Sequence, residues 1–305
     1  MQRRTPPFGD TVTLRPDEFR LLRDLFATRT GLHFGPESRF ALERRLRERL
    51  TLLKLSSFAE YNHYLRFGPQ AASEWDEAID LLTTNETYFF REERQLRAFQ
   101  LEVLPMLQGL SRPRRRLAIW SAGCATGEEV YTIAILLHTS RLFPVDGPDG
   151  TRWDVRVYGT DISRRCVAAA RRGIYGEGSF RATDAEVRRT FFRPGRPEEV
   201  GGWHVVEPIR AMCHFGQMNI LDEDRSRVFG GADAIFCRNV LIYFDARARR
   251  TAIEALYTRL NPGGVLFLGH SESLLNVSTA FELLHLRDDL VYRKPLSVRD
   301  AGPAP

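Results

Sequence analysis

The sequence predicts an α/β protein whose mainly parallel sheet is covered by helices on both faces. From about residue 115, apolar β-like segments alternate with helical segments, as expected for such a sheet. A glycine-containing loop follows the first of these strands. Before about residue 85 the apolar residues recur only at helical spacing. We therefore expect a small helical domain followed by an α/β domain.

Residues 15–85 form the predicted helical N-terminal domain and linker. Phe19, Leu22 and Phe26 recur at i, i+3 and i+7, and four leucines continue this pattern from residue 42 to residue 53. The second stripe lies in the segment from Arg39 to Lys54, which carries six cations and two acids. This basic segment is either a solvated helix face or a docking surface for an acidic partner.

The predicted α/β domain spans residues 86–296. We expect strands at residues 117–121, 155–160, 234–237 and 265–268, and helices at 128–138, 163–172 and 246–260. Residues 261–264 read Asn-Pro-Gly-Gly, a turn signal, and residues 282–286 and 290–294 are predicted to form an antiparallel pair.

Residues 180–213 fit the alternation poorly, because prolines and glycines separate short β-like segments such as 203–206. We expect a small inserted β subdomain there. Residues 1–14 are predicted to be a flexible N-terminus and residues 297–305 a disordered tail.

Composition narrows the class of protein. The chain has 305 residues, 43% hydrophobic and 27% charged, as in ordinary globular proteins. Its net charge is +5, but 42 of the 44 cations are arginine, so the basic balance is weak evidence for nucleic acid. The cysteines lack metal or disulfide spacing, and no export signal or eighteen-residue apolar run occurs. We expect a cytoplasmic protein without a bound metal or membrane insertion.

The loop of residues 122–127 reads Ala-Gly-Cys-Ala-Thr-Gly and lies between a strand and a helix. Gly123 would let the backbone approach a ligand, and the helix start supplies free N–H groups. Glu128 and Glu129 follow at once, which disfavours a diphosphate and favours a ligand with cationic groups such as S-adenosylmethionine. The alternative is that one of the two acids serves only the helix dipole.

Polar residues also follow the other predicted strands. Asp161 ends the second strand, where it would accept the hydroxyls of a ribose or else cap the next helix. Asn219 and Ile220 follow a third strand and would hold the edge and face of an adenine. Arg238 and Asn239 end the next strand, and the segment after them lacks the Asn-Pro-Pro-Tyr sequence with which amino methyltransferases grip nitrogen.

Five motifs in order resemble the chemotaxis receptor methyltransferases, the CheR family. They are Thr84-Asn85-x-Thr87-x-x-Phe90-Arg91-Glu92, Trp120-Ser121-Ala122 with Thr126-Gly127-Glu128-Glu129, Gly173-Ile174-Tyr175, Phe236-Cys237-Arg238-Asn239 to Tyr243-Phe244, and Gly269-His270-Ser271-Glu272. The resemblance extends from about residue 15 to residue 295. It implies a Rossmann-like class I methyltransferase sheet, an N-terminal all-helical domain and a small inserted β subdomain.

The resemblance also implies the reaction and the site. Members of the family use S-adenosylmethionine to methylate glutamates of chemoreceptors, releasing S-adenosylhomocysteine, and some bind a receptor C-terminal peptide through the β subdomain. Arg91 and Tyr243 would lie at the reacting groups. Carried over by motif, the cofactor site would be lined by Asn85, Thr87, Arg91, Gly123, Glu129, Asp161, Asn219, Ile220, Arg238 and Asn239.

For the segment at residues 83–92, the residues alone favour an N-capped linker helix with a buried aromatic patch, whereas the resemblance places it at the cofactor. We expect a monomer that docks on the acidic methylation region of chemoreceptors through residues 39–54 and the β subdomain. The rival hypotheses are an RNA or small-molecule methyltransferase and a non-catalytic S-adenosylmethionine-binding module.

Overall fold

The computed structural model describes residues 12–144, 152–195, 202–222, 224, 227 and 230–296. The chain divides into two compact units, Met1–Thr84 and Asn85–Pro305. Most of the predicted flexible N-terminus, residues 1–11, and the whole predicted tail, residues 297–305, lie outside the described residues.

The first unit is helical. Its helices are α1 (Pro16–Thr30), α2 (Arg39–Leu53), α3 (Phe58–Phe67) and α4 (Ala71–Leu82). The apolar stripes predicted from the sequence form its interior, with Phe19, Leu22, Phe26, Leu42, Leu46 and Leu50 all buried. Burial of these side chains is the main favourable contribution to folding of the unit.

A buried carboxylate links three of these helices. Glu74 on α4 accepts hydrogen bonds from Arg49 on α2, at 3.0 Å from Nε and 2.6 Å from Nη2. The hydroxyl of Tyr61 on α3 donates to the same carboxylate at 2.6 Å. Because Glu74 is only 3% exposed, these partners replace the water that it loses on folding.

The second unit contains two sheets. Their strands are β1 (Arg116–Ala122), β2 (Asp154–Asp161), β3 (Ile174–Tyr175), β4 (Phe192–Pro194), β5 (Trp203–Val205), β6 (Cys213–Gln217), β7 (Ala232–Cys237), β8 (Leu260–Leu268), β9 (Glu282–His285) and β10 (Leu290–Arg293). The large sheet has the order β6-β2-β1-β7-β8-β10-β9. Its first five strands are parallel, whereas β10 is antiparallel to β8 and β9.

The prediction of a parallel sheet with a closing antiparallel pair is confirmed. One local prediction is wrong: residues 261–264 lie within β8 and do not form a turn before it. Strand β8 pairs with β7 across a register shift between Ala232 and Ala234. Such an irregularity accommodates the Pro-Gly-Gly sequence within a paired strand.

Helices surround the large sheet. They are α5 (Glu93–Ala98), α6 (Leu104–Ser111), α7 (Glu128–Ser140), α8 (Arg164–Arg172), α9 (Ala185–Phe191), α10 (Glu207–Arg210) and α11 (Ala246–Arg259), with a π-helical turn at Phe99–Val103 between α5 and α6. Phe99 in that turn packs edge-to-face on Phe236 of β7 and Phe267 of β8, with ring centroids 5.1 and 5.6 Å away. These contacts fix the turn against the centre of the sheet.

The small sheet has the order β3-β5-β4, with antiparallel pairing throughout. It begins at Ile174, so its first strand precedes the predicted range of 180–213. Strand β3 has only two residues, too few to show an alternating pattern.

An aromatic cluster joins this small sheet to the segment at residues 83–92. Phe89 is fully buried against the rings of Tyr175, Phe180 and Phe192, with centroids 4.8 to 5.1 Å apart. The buried patch is therefore present, but the linker helix is wrong: helix α5 begins at Glu93. Phe90 and Glu92 have φ angles of 60° and 62°, which no α-helix contains.

The strand order places a ligand-binding crevice at a defined edge. The chain passes from β1 to β2 and β6 on one side and then to β7 on the other, so the order reverses beside β1. Open α/β sheets bind ligands at the carboxyl ends of the strands at such a point. The loops after β1, β2, β6 and β7 carry most of the residues singled out in the sequence, whereas Asn85, Thr87 and Arg91 precede β1.

Candidate active site

The loop after β1 is bound to the end of β2. The backbone N–H groups of Gly123 and Cys124 donate to the carbonyl of Thr160 at 2.8 and 2.9 Å. Gly123 has a φ of 83°, and a Cβ atom there would lie 2.4 Å from Cγ2 of Val240. Glycine is therefore required both by the backbone conformation and by the approach of the loop after β7.

Asp161 joins this loop to the start of α8. Its Oδ2 accepts from the N–H of Ala125 and its Oδ1 from the N–H of Ser163, both at 2.8 Å. The N-cap of α8 is Ser163 itself, whose hydroxyl accepts from the N–H of Cys166. The capping alternative for Asp161 is therefore wrong. The contact of Asp161 with a ribose stays a prediction.

The two glutamates at the start of α7 have different surroundings. Glu128 accepts from the hydroxyls of Thr126 at 2.7 Å and Ser179 at 3.0 Å. Glu129 accepts from the hydroxyl of Ser121 at 2.7 Å and from Nη1 of Arg238 at 3.1 Å. Burial raises the pKa of both carboxyls. Glu129 shares its surroundings with the residues that end β7, which makes it the better candidate for a cofactor contact.

Arg238 forms a buried ion-pair cluster. Its side chain is 3% exposed, and besides Glu129 it contacts Oε2 of Glu92 at 2.9 Å. Its Nη2 also donates to the carbonyl of Arg91 at 2.7 Å. The sequence predicted that Arg238 lines the cofactor site, but its described partners are protein groups. Sequence reasoning missed Glu92, although it lies within the first family motif.

Arg91 and Tyr243 are the predicted reacting-group residues. Arg91 is half-buried and donates from Nη1 to the carbonyl of Glu86 at 3.0 Å. Its guanidinium carbon also lies over the ring of Tyr88, 5.9 Å from the ring centroid, and its charge lowers the pKa of Glu129. Tyr243 is half-buried at the end of a 3₁₀ turn, Leu241–Tyr243.

The remaining predicted residues lie in the neighbouring loops. Asn85 and Thr87 are half-buried in the segment that leads to Arg91. Asn219 follows β6 and accepts from the N–H of Leu221 at 3.0 Å, and Ile220 beside it is buried. Their contacts with the cofactor stay predictions.

The site suits an S-adenosyl ligand. Glu129, whose side chain is 16% exposed, is the predicted acceptor for a cationic group, and buried Asp161 is the predicted acceptor for hydroxyls. Within the described residues no group of three or more His, Cys, Asp or Glu side chains could hold a metal ion. No helix of the described residues is long and apolar enough to cross a membrane.

Comparison with known proteins gives the family. Residues 85–289 match the family model described as CheR methyltransferase, SAM binding domain, and residues 17–83 match CheR methyltransferase, all-alpha domain. The chain belongs to the CheR methyltransferase family. Its cofactor is accordingly S-adenosylmethionine, and its fold is that of a class I methyltransferase preceded by an all-α domain.

Curated relatives span nearly the whole chain. A chemotaxis protein methyltransferase 2 from Vibrio cholerae is 37% identical over 93% of this chain and 95% of its own length. A chemotaxis protein methyltransferase 2 from Pseudomonas aeruginosa is 36% identical over 90% of this chain and 93% of its own length. A chemotaxis protein methyltransferase from Escherichia coli is 33% identical over 90% of both chains. The similarity therefore covers both units of this protein.

Proposed function

We propose that this enzyme methylates glutamate side chains of chemoreceptors, giving γ-carboxyl methyl esters. When bound, S-adenosylmethionine supplies an electrophilic methyl group on a sulfonium. The chain has to hold the acceptor carboxylate, orient it and exclude water. The names of the relatives, all chemotaxis protein methyltransferases, support this acceptor class.

The observation that carries the proposal is the position of Arg91: its side chain is half-buried, and its backbone carbonyl is bound by Arg238, the ion-pair partner of Glu129. A guanidinium has five N–H groups in a planar fork that matches a carboxylate. Within the described residues, one of these groups hydrogen-bonds, to the carbonyl of Glu86. The others are available to an anionic acceptor, as a glutamate requires.

A carboxylate acceptor also explains why few catalytic groups are needed. A glutamate with an ordinary pKa near 4.3 is ionised at neutral pH, so it needs no general base. We infer that Arg91 orients this acceptor and that the hydroxyl of Tyr243 donates to it. Positioning then supplies most of the rate enhancement.

The test is methyl transfer from radiolabelled S-adenosylmethionine to cytoplasmic fragments of chemoreceptors. A carboxyl methyl ester releases its label as methanol in mild base, whereas methyl groups on nitrogen or RNA stay bound. We expect base-labile label on glutamate. Base-stable label would favour the RNA or small-molecule rival, and no transfer would favour the non-catalytic module.

Arg91→Ala is the matching variant. We expect its turnover to fall by about a hundredfold or more, because the acceptor loses its charged partner. Arg94→Ala is the control, since Arg94 is exposed on α5 three residues away. Turnover of Arg91→Ala equal to that of Arg94→Ala would remove Arg91 from the proposed site.

We also propose that α2 docks the acidic receptor bundle. Most of its cations have partners within the helical unit: Arg39 and Arg45 donate to the carbonyls of Leu14 and Leu82. Arg47 pairs with Glu43, and Arg49 pairs with Glu74. Arg44 is exposed one turn after Phe40, which is 70% exposed. The docking face therefore centres on Arg44 and Phe40.

Arg44→Glu should raise the KM for the receptor fragment and weaken its salt dependence, since surface charge acts through a screened field. Arg20→Glu makes the same charge change on an exposed position of α1 and should have a smaller effect. Equal effects of the two variants would support the solvated-face alternative for α2.

The small sheet supports a docking mode for a receptor peptide. Strand β4 is an edge of the β3-β5-β4 sheet, where an extended receptor peptide can add as a strand. Competition between such a peptide and the receptor fragment tests this docking mode.

The four cysteines are free thiols, which suits the reducing cytoplasm. Fractionation of cells that express the chain tests this location.

A further inference from the structure

Glu272 ends the Gly269-His270-Ser271-Glu272 motif, to which the proposed reaction assigns no role. Its two carboxylate oxygens accept hydrogen bonds from five backbone N–H groups. The N···O distances are 2.7 Å for Asn239, 2.9 Å for Val240, 2.7 Å for Leu241, 3.3 Å for Ile242 and 2.8 Å for Gly269. One side chain thus binds four consecutive amides of the loop after β7.

Those four amides need an anion. Asn239 has a φ of 58°, so the chain leaves the extended conformation of β7 at this point and turns. Successive N–H groups that point into one concavity form a nest, which binds negative charge. Buried N–H groups without a partner are costly. The carboxylate of Glu272 fills this nest from 30 or more residues further along the chain.

This loop carries three predicted site residues. Arg238 is held separately, by its ion pairs with Glu92 and Glu129. Tyr243 is held through the backbone of its own turn, where its N–H donates to the carbonyl of Val240 at 3.1 Å. The orientation of Tyr243 therefore depends on the amides that Glu272 binds.

Gly269 belongs to the same arrangement. A Cβ atom at this position would lie 2.9 Å from Oε2 of Glu272 and 2.9 Å from the side-chain nitrogen of Asn239. The N–H of Glu272 also donates to the carbonyl of Gly269 at 2.9 Å, which closes the turn. The glycine admits the carboxylate, and the carboxylate orders the loop.

We propose that Glu272 is a positioning residue for methyl transfer, which fixes Tyr243 at the acceptor by binding the amides of residues 239–242. The inference rests on the proposed function, because it assigns Tyr243 to the acceptor. Loss of this carboxylate should reduce kcat more than it weakens the affinity for S-adenosylmethionine, since Asn239 is the one predicted cofactor residue among the bound amides, whereas Glu129 and Asp161 lie on other loops.

The first test is Glu272→Gln. Its amide keeps one acceptor oxygen and replaces the other by an NH2 group, which faces two N–H donors at the position of Oε2 or three at that of Oε1. We expect kcat to fall by about 10- to 100-fold, the effect of a misplaced reacting group. The dissociation constant for S-adenosylmethionine should change by less than about threefold. Glu282→Gln is the control, since Glu282 is an exposed glutamate of β9 that pairs with Arg293.

A double-mutant cycle with Tyr243→Phe shows whether Glu272 acts through Tyr243. In the Tyr243→Phe background, Glu272→Gln should reduce kcat by no more than about threefold, because the group that it positions is already absent. A full reduction in both backgrounds would overturn the proposal. So would a kcat of Glu272→Gln equal to that of Glu282→Gln.

Gly269→Ala provides a second variant that keeps the charge. Its Cβ atom should displace the carboxylate and reproduce the loss of kcat at nearly unchanged cofactor affinity. If both variants lose cofactor binding and their cooperative thermal transition, Glu272 serves folding, and positioning is wrong. Wild-type protein that transfers no methyl group to receptor glutamate would contradict the proposed function itself and is measured first.

Discussion

Arg238 and Glu129 form a buried ion pair, with Nη1 of the arginine 3.1 Å from Oε2 of the glutamate. Glu129 lies in the first turn of α7, and Arg238 directly follows β7. Strand β7 is the neighbour of β1, the strand that leads to α7. The other side of the same guanidinium contacts Glu92 and the carbonyl of Arg91. One residue thus joins the cofactor loop to the segment that carries the proposed acceptor-binding arginine.

Replacing this arginine should damage both folding and cofactor binding. Arg238→Met leaves two largely buried carboxylates without a cation, and removal of one partner of a buried pair costs about 3 to 5 kcal/mol. The pKa of Glu129 should rise further, because Arg238 now lowers it. Thermal unfolding and calorimetric titration with S-adenosylmethionine measure the two effects.

Arg293→Met is the matched control for Arg238→Met. Arg293 pairs with Glu282 on the surface, where such a pair contributes about 0 to 1 kcal/mol. Comparable stabilities of the two variants would show that the buried cluster contributes no more than a surface pair.

Gly123→Ala should weaken cofactor binding at least tenfold. The new Cβ atom would lie 2.4 Å from Cγ2 of Val240, and the φ of 83° is unfavourable for alanine by about 1 to 2 kcal/mol. Isothermal titration measures the affinity. Val240→Ala in the same chain should recover part of it by removing the clash. Gly109→Ala, on α6 with open space around its Cβ position, should bind normally.

Cofactor affinity should fall as the pH falls through the raised pKa of Glu129. Burial raises this pKa above its usual value, so protonation begins at a higher pH than in an exposed glutamate. Glu129→Gln should bind weakly at every pH. Glu128→Gln should keep the pH dependence, since Glu128 contacts Thr126 and Ser179. Titrations of the three proteins from neutral to acidic pH provide the measurement.

The raised pKa of Glu129 also makes the stability of the fold depend on pH, in the direction opposite to that of the cofactor affinity. A carboxyl whose pKa is higher in the folded than in the unfolded chain stabilises the fold below its unfolded pKa. That contribution is lost as the pH rises through the folded pKa. Without cofactor, Glu129→Gln should therefore gain stability relative to wild type as the pH rises from acidic to neutral. An unchanged difference in unfolding free energy across this pH range would contradict the raised pKa.

The sequence predicted most of the fold because its periodic segments are long. The helical stripe from Phe19 to Phe26 and the alternating strands and helices from residue 115 needed only local patterns. The two-residue strand β3 and the turn at residues 83–92 did not follow from such patterns. Phe90, which has a positive φ, follows Phe89, whose ring packs on Tyr175, 86 positions further along the chain.

The sequence predicted only part of the candidate site, because only some of its residues follow a recognisable local pattern. Residues that follow strands, such as Asp161 and Arg238, are recognisable from their position after an apolar run. Their partners are not, since Glu92 and Glu272 meet the loop after β7 from distant parts of the chain. Ion pairs and side-chain-to-backbone bonds of this range leave no periodic pattern in the sequence.

The helical unit offers a prediction on stability alone. Glu74→Ala would leave Arg49, which is 18% exposed, and the hydroxyl of Tyr61 without their shared carboxylate. We expect a loss of about 3 kcal/mol in unfolding free energy, as for other broken buried pairs. Glu77→Ala is the control on the same helix, because Glu77 lies 3.9 Å from Arg49 and is 41% exposed. Glu77→Ala should lower the unfolding free energy by no more than about 1 kcal/mol. Denaturant unfolding of the three proteins measures both values, and equal losses would mean that burial of Glu74 adds nothing to its ion pair.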